Sequence, residues 1–177
     1  LTYVEAIESQ SAVCFAHATM NALDWFGGTC RFLRPDNTKA AVILHSKHEV
    51  ALLNELFREL AVHYHTGVVP APAYTPKAKP NVEDNVYNSY SRILAPLRHC
   101  TFYSLGQLNE ALWSQCETFN NEPFKKNKDW SRRMLFEAEE RRMLSQLPAT
   151  KFEVRMRATA TVRDNCHALC RLDGYYY

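Results

Sequence analysis

Two acidic residues stand where this sequence could do chemistry. Asp36 follows a run at residues 30–34 that reads as a short strand, and it sits between Pro35 and Asn37. A carboxylate leaving the end of a strand faces the cleft beyond the sheet, while the sheet behind fixes its position. Taken singly, Asp36 is also accounted for as a turn aspartate bonding its own backbone, which is common in Pro-Asp-Asn. Glu83 lies one turn into a helix expected to begin near Lys79 or Pro80. A first-turn glutamate ordinarily complements the helix dipole. Val82 and Val86 flank this one, which puts it at the edge of a buried stripe, and Lys77 and Lys79 just upstream would suit a phosphate backbone. The ordered set says more than either residue alone: a strand-end aspartate, a helix, a short strand, then a first-turn glutamate behind lysines.

Two further groups invite a chemical reading. Residues 120–133 are polar and basic, with Lys125, Lys126, Lys128, Arg132 and Arg133 against only Glu122 and Asp129. That stretch reads as a basic connector able to touch nucleic acid without regard to sequence. Each lysine, like Lys39 just after Asp36, is otherwise an ordinary solvated charge. The six cysteines lie scattered without C-x-x-C pairs and read as reduced core fillers. A zinc site from Cys166, His167 and Cys170, with Cys14 or His17, is the sharper alternative, although the spacing matches no familiar zinc knuckle.

The elements that must position these residues follow from periodicity. Residues 1–6 read as an opening strand. Val13, Ala16, Met20, Leu23 and Phe26 then recur at three- and four-residue steps, predicting an amphipathic helix that Gly27-Gly28 stops. A second helix is expected over 50–65, with Leu53, Leu56, Leu60 and Tyr64 on one face, followed by a short strand at Val68-Val69. The third helix, from 79 or 80 to 97, carries Val82, Val86, Ile93 and Leu97 as its stripe; proline at its start loses no intrahelical donor. A fourth begins at Ser104, with Gln107 at capping-box spacing, and buries Leu105, Leu108, Leu112, Cys116 and Phe119. A short helix near 135–144 precedes two strand-like stretches, 152–157 and 166–177. Strands alternating with helices over the first two-thirds predict an α/β layer fold, and the last stretch reads as the start of a small β-unit.

Composition bounds these readings. With 177 residues, 46% hydrophobic and 23% charged, the chain has the profile of an ordinary globular domain. A net charge of +2 is too small to imply a nucleic-acid partner unaided, so local clusters must carry that case. No apolar run approaches the length needed to cross a bilayer, and a cytoplasmic protein without membrane contact is the expectation. The first residues, Leu1-Thr2-Tyr3-Val4, and the last, Gly174-Tyr175-Tyr176-Tyr177, both read as the middle of strands, as in an excerpt of a longer protein.

Several stretches in order resemble the IstA-type insertion-sequence transposases of the retroviral-integrase superfamily. They are Trp25-Phe26-Gly27-Gly28, the run from Arg34-Pro35-Asp36-Asn37 to Val42, Phe57-Arg58-Glu59-Leu60 to Tyr64, and Lys77-Ala78-Lys79-Pro80-Asn81-Val82-Glu83. Phe102-Tyr103-Ser104-Leu105 to Asn109, Asn120-Asn121-Glu122-Pro123-Phe124, Leu147-Pro148-Ala149 and Asp173-Gly174-Tyr175-Tyr176 continue it. The chain departs from the family at Pro80, where a small residue is usual, and at Asn81, where a basic one is frequent; both bear on DNA contact rather than on the carboxylates.

The resemblance implies an RNase H-like core, partial at its N-terminal side, over residues 1–120. A basic connector with a short helix over 121–146 and the start of a C-terminal β-barrel over 147–177 would follow. It makes Asp36 the second and Glu83 the third acid of a DDE triad, the first lying upstream of Leu1; Asp24, on a helix, is no substitute for it. The family's chemistry is DNA cleavage and strand transfer by in-line displacement at phosphorus with two Mg²⁺ or Mn²⁺ ions. Lys39, Lys77, Lys79 and the connector residues would then contact DNA. A helper AAA+ ATPase, a homo-oligomer on paired double-stranded ends and association with the nucleoid are also implied. This excerpt, lacking one ligand, is expected to be inactive alone. The alternative is a non-enzymatic DNA-binding or assembly remnant of a decayed element.

Overall fold

The computed structural model describes residues 1–36, 40–44, 52–69, 86–155, 160–162, 164, 166–170 and 174–176, with residues 42–44 and 52 described by backbone alone. Helix α1, Ala12–Phe26, starts on Ser11, whose hydroxyl accepts from the Cys14 N–H at 3.2 Å. It stops at Gly27, which takes φ +72°, a conformation costly for any residue with a Cβ. Ala16, Met20 and Leu23 are buried as the periodicity predicts.

Strand β1, Phe32–Leu33, lies parallel to β4, Gly67–Val68, with Phe32 opposite Gly67. Between them in sequence come an antiparallel pair, β2 (Val42–Leu44) and β3 (Leu52–Leu53), and helix α2, Glu55–His63. The second helix is therefore shorter than its apolar pattern predicts. Leu52-Leu53 is spent on β3, and the Asn54 side chain caps the helix by accepting from the Leu56 N–H at 3.0 Å. Ala16, Met20, Leu23, Ala41, Phe57, Leu60 and Tyr64 form one buried cluster between α1 and α2. Leu147, Phe152 and Val154, from the stretch read as a C-terminal unit, pack against that same cluster.

The next helical stretch, α3, is described from residue 86 to 97, and its expected start at 79 or 80 lies outside the described residues. Its turns widen to π geometry over Tyr90–Leu94 and tighten to 3₁₀ over Ala95–Leu97. Pro96 supplies the cause: it has no N–H to return and its ring crowds the carbonyl four residues back. Ile93 is fully buried against α4, whereas Val86, predicted on the same stripe, is 65% exposed. Among the described residues of α3, Ile93 and Leu97 join the apolar cluster with α4.

Helix α4, Leu105–Asn121, begins on Ser104, whose hydroxyl accepts from the Gln107 N–H at 3.1 Å, while Gln107 accepts from Tyr103 N–H at 3.0 Å. Leu112, Cys116 and Phe119 are buried beside Ile93 in a second cluster. Leu105, predicted with them, lies exposed in the first turn, and the buried place one turn on is taken by Asn109. The last helix, α5, runs from Arg132 to Met143, α-helical over Arg132–Leu135 and then π and 3₁₀. It starts earlier than the sequence predicts because the buried Ser131 caps it, accepting from the Met134 N–H at 3.2 Å.

Residues 1–6 correct the sequence reading. They are extended, but among the described residues they join no sheet. Their backbone is satisfied by two buried asparagines of α4 instead. Asn120 accepts from Thr2 N–H at 2.9 Å and donates to Thr2 C=O at 2.7 Å. Asn109 does the same for Ala6, at 2.8 and 3.1 Å. A carboxamide presents the donor and acceptor of a peptide group, so each asparagine imitates one rung of a ladder. Beyond residue 155 the described residues hold only isolated antiparallel bridges, Val162 with Ala168 and Leu169 with Tyr176. The strand predicted over 152–157 is not formed across its described part, whose Phe152 and Val154 are held by packing.

Candidate functional site

Parallel pairing sends β1 and β4 out of the sheet at the same edge. Beyond β1 the chain passes the exposed Arg34 and the buried Pro35 to Asp36, which is exposed. Beyond β4, Val69 N–H donates to the Leu33 carbonyl at 2.9 Å, so the chain leading to residue 70 leaves beside the Asp36 segment. Glu83, Lys77, Lys79 and Lys39 lie outside the described residues.

A concavity of about 320 Å³ reaches the β1 exit as far as Pro35, bounded by Arg34 and Pro35, by Phe15 and Thr19 of α1, and by Tyr3 and Glu5 of the opening segment; Asp36, the next residue, is not part of its lining. Glu5 is an anchor that the sequence reading missed. It accepts from Tyr3 Oη at 2.8 Å through one oxygen and from Asn21 Nδ2 at 2.8 Å through the other. Burial, then the bond to Glu5, holds the Tyr3 phenol protonated well above its ordinary range. The Tyr3 ring also packs 5.3 Å from that of Trp25. The only hint in the sequence was the acid's place in an otherwise apolar opening. Asp24 on α1 pairs with Lys151.

The basic stretch separates into two kinds of residue. Lys125, Lys126 and Lys128 are exposed, and among the described residues they pair with no carboxylate. Arg133 instead pairs with Glu117 of α4. Arg132 is half-buried, its guanidinium 3.9 Å over the Phe119 ring and 5.3 Å from that of Phe124. Both arginines open α5 and tie it to α4.

The cysteine and histidine candidates are not brought together. Cys14 lies at the start of α1, 3.3 Å from Ser9 Oγ, and bonds from Ser11 and Ser9 lower its thiol's pKa. Cys166 is exposed in the C-terminal stretch. Among the described residues no three His, Cys, Asp or Glu side chains are grouped to hold a metal. Among them, too, no helix is long and apolar enough to cross a membrane.

No family model matches the chain. A proposed transposase for insertion sequence IS408 from Burkholderia multivorans is 30% identical over 176 residues, 99% of this chain and 33% of that protein. A proposed transposase of Sinorhizobium fredii is 35% identical over 177 residues, the whole of this chain and 34% of that protein. This chain is a relative of insertion-sequence transposases. A third match, to a proposed transposase for insertion sequence IS1162 of Pseudomonas fluorescens, is 34% identical over 153 residues, 86% of this chain and 27% of that protein. The chain thus spans about a third of the length of the transposases it resembles.

Proposed function

We propose that this chain is the part of a DDE transposase's RNase H-like core, of the IstA type, that bears the second and third acids, Asp36 and Glu83. The observation that carries the reading is the parallel β1–β4 pair. It releases Asp36 and the chain at Val69 at the same end of the pair, and open α/β sheets gather their functional groups beyond the carboxyl ends of their strands. Asp36 fits a divalent-cation ligand in chemistry and placement: it is an exposed carboxylate just past the end of β1, following the buried Pro35. Together with Glu83 and an acid from elsewhere in the transposase, it would hold Mg²⁺ or Mn²⁺. Those ions would supply activation of the attacking hydroxyl and charge neutralisation at phosphorus. Arg34 and the lysines at 39, 77 and 79 would add positive charge along the DNA backbone, and Lys125, Lys126 and Lys128 a second contact. The activity so proposed is cleavage and strand transfer of double-stranded element ends, by a homo-oligomer served by a helper AAA+ ATPase on the nucleoid.

The test is strand transfer by the complete transposase carrying Asp36→Asn or Glu83→Gln. Each change is expected to lower turnover by roughly 10²–10³-fold, with thermal unfolding unchanged. Undiminished strand transfer by either variant would overturn the assignment of that acid. The exposed lysines also suit a non-catalytic DNA-binding remnant, for which both variants would bind DNA normally and no variant would transfer strands.

A further inference from the structure

Where α3 meets the end of α4, a cleft of about 260 Å³ opens among Asn88, Arg92, Glu122, Phe124, Lys125 and Arg132. Three cations share it with one carboxylate. That carboxylate, on Glu122, is ion-paired with Arg92. Among the described residues Arg132 makes a single hydrogen bond, a long one of 3.4 Å from Nη1 to the Phe119 carbonyl. A guanidinium carries five N–H donors, so most of those on Arg132 are unspent although the group is half-buried. Burial disfavours its charge, Glu122 favours it, and the nearby Arg92 disfavours it again. The partly exposed group leaves those donors within reach of an anion, and hydrogen bonds from a guanidinium to an oxyanion are among the stronger ones. The Phe119 and Phe124 rings hold the plane in place, which lowers the entropy lost on gripping a flat or tetrahedral oxyanion.

The occupant can be narrowed. A lone carboxylate would be served by one arginine, and Arg92 already has one. Lys125 on the rim, with Lys126 and Lys128 following in the exposed turn, extends the positive charge outwards as a polyanion requires. We propose that this cleft is a backbone-phosphate site for DNA: Arg132 and Lys125 grip one phosphodiester, and Glu122 is the resident anion that the phosphate displaces from Arg92. The proposal rests on the DNA partner inferred above, and it adds Arg92 and Glu122 to the residues that set affinity. Glu122 becomes a built-in competitor that keeps binding weak until a polyanion arrives.

Fluorescence anisotropy of this chain with a short labelled duplex, across a salt series, tests the idea through changes of opposite sign. Glu122→Gln is expected to tighten binding roughly three- to tenfold, because an acid that repels phosphate is removed. Lys125→Gln, at an exposed side chain that pairs with no carboxylate among the described residues, is expected to weaken binding several-fold and reduce the salt slope by about 1. Inorganic pyrophosphate, as a small-anion probe, should compete only at high concentration. Duplex binding that neither substitution alters would overturn the cleft while leaving the DNA partner standing. Tight pyrophosphate binding without duplex binding would make it a small-anion site instead. Absence of duplex binding in every variant would overturn both the cleft and the DNA reading.

Discussion

The two buried clusters are built by different means. The cluster between α1 and α2 closes by apolar burial, and the parallel β1–β4 pair beside it releases Asp36. The cluster around Ile93, Leu112, Cys116 and Phe119 is smaller, and its outer wall is the opening segment, held on by the carboxamides of Asn109 and Asn120. The first region depends on patterned hydrophobicity, which is non-directional and tolerant of detail. The second depends on four directional bonds between two side chains and the opening backbone, each of which leaves a partly buried peptide group without that partner if lost. The candidate acid therefore sits on the part that apolar burial holds, and the phosphate cleft on the part that specific polar contacts hold.

That contrast can be broken or sharpened by substitution. The largest effect is expected in the first cluster: Leu60→Ala empties a fully buried position and should cost about 2–5 kcal/mol in chemical denaturation. Unfolding should stay a single transition if the two clusters are one cooperative unit; two separate transitions would show them to be independent. Next comes Asn120→Ala, which strips the Thr2 N–H and C=O of their partners and should cost roughly 1–3 kcal/mol. Hydrogen exchange gives the sharper readout, since the Thr2 amide should lose protection while amides of α2 keep theirs. Equal loss in both regions would erase the distinction. The smallest change is expected at a cap. Ser104→Ala removes the bond to the Gln107 N–H and should cost about 1 kcal/mol, with fraying restricted to the first turn of α4.

Much of the fold was legible because period and caps are local. The α1 stripe, its stop at Gly27 and the Ser104 start of α4 follow from spacing and glycine geometry alone. Asp36 beyond the end of a short strand is likewise found where alternation and Pro-Asp-Asn put it. The misses share a different cause. Val86 and Leu105 lie on predicted stripes but are exposed, because a stripe says which face is apolar and not how far along the helix a partner extends. Residues 52–53 fit a helix pattern and pair as strand, since a short apolar run carries no period of its own. The roles of Asn109 and Asn120 were invisible, because a polar residue becomes an anchor only when a remote backbone segment arrives opposite it.

The linear chain by itself determined its relatedness to insertion-sequence transposases, its helix caps and the apolar faces of α1, α2 and α4. These rest on residue identity and on spacings of a few residues, which no distant contact needs to supply. Tertiary structure decided that β1 and β4 run parallel and that residues 1–6 lie on α4 rather than in a sheet. It also decided that Arg132 is stacked and under-bonded while Arg133 is paired. Each of these joins groups whose positions are set by separate elements, so the free energy that selects them exists only once those elements have packed.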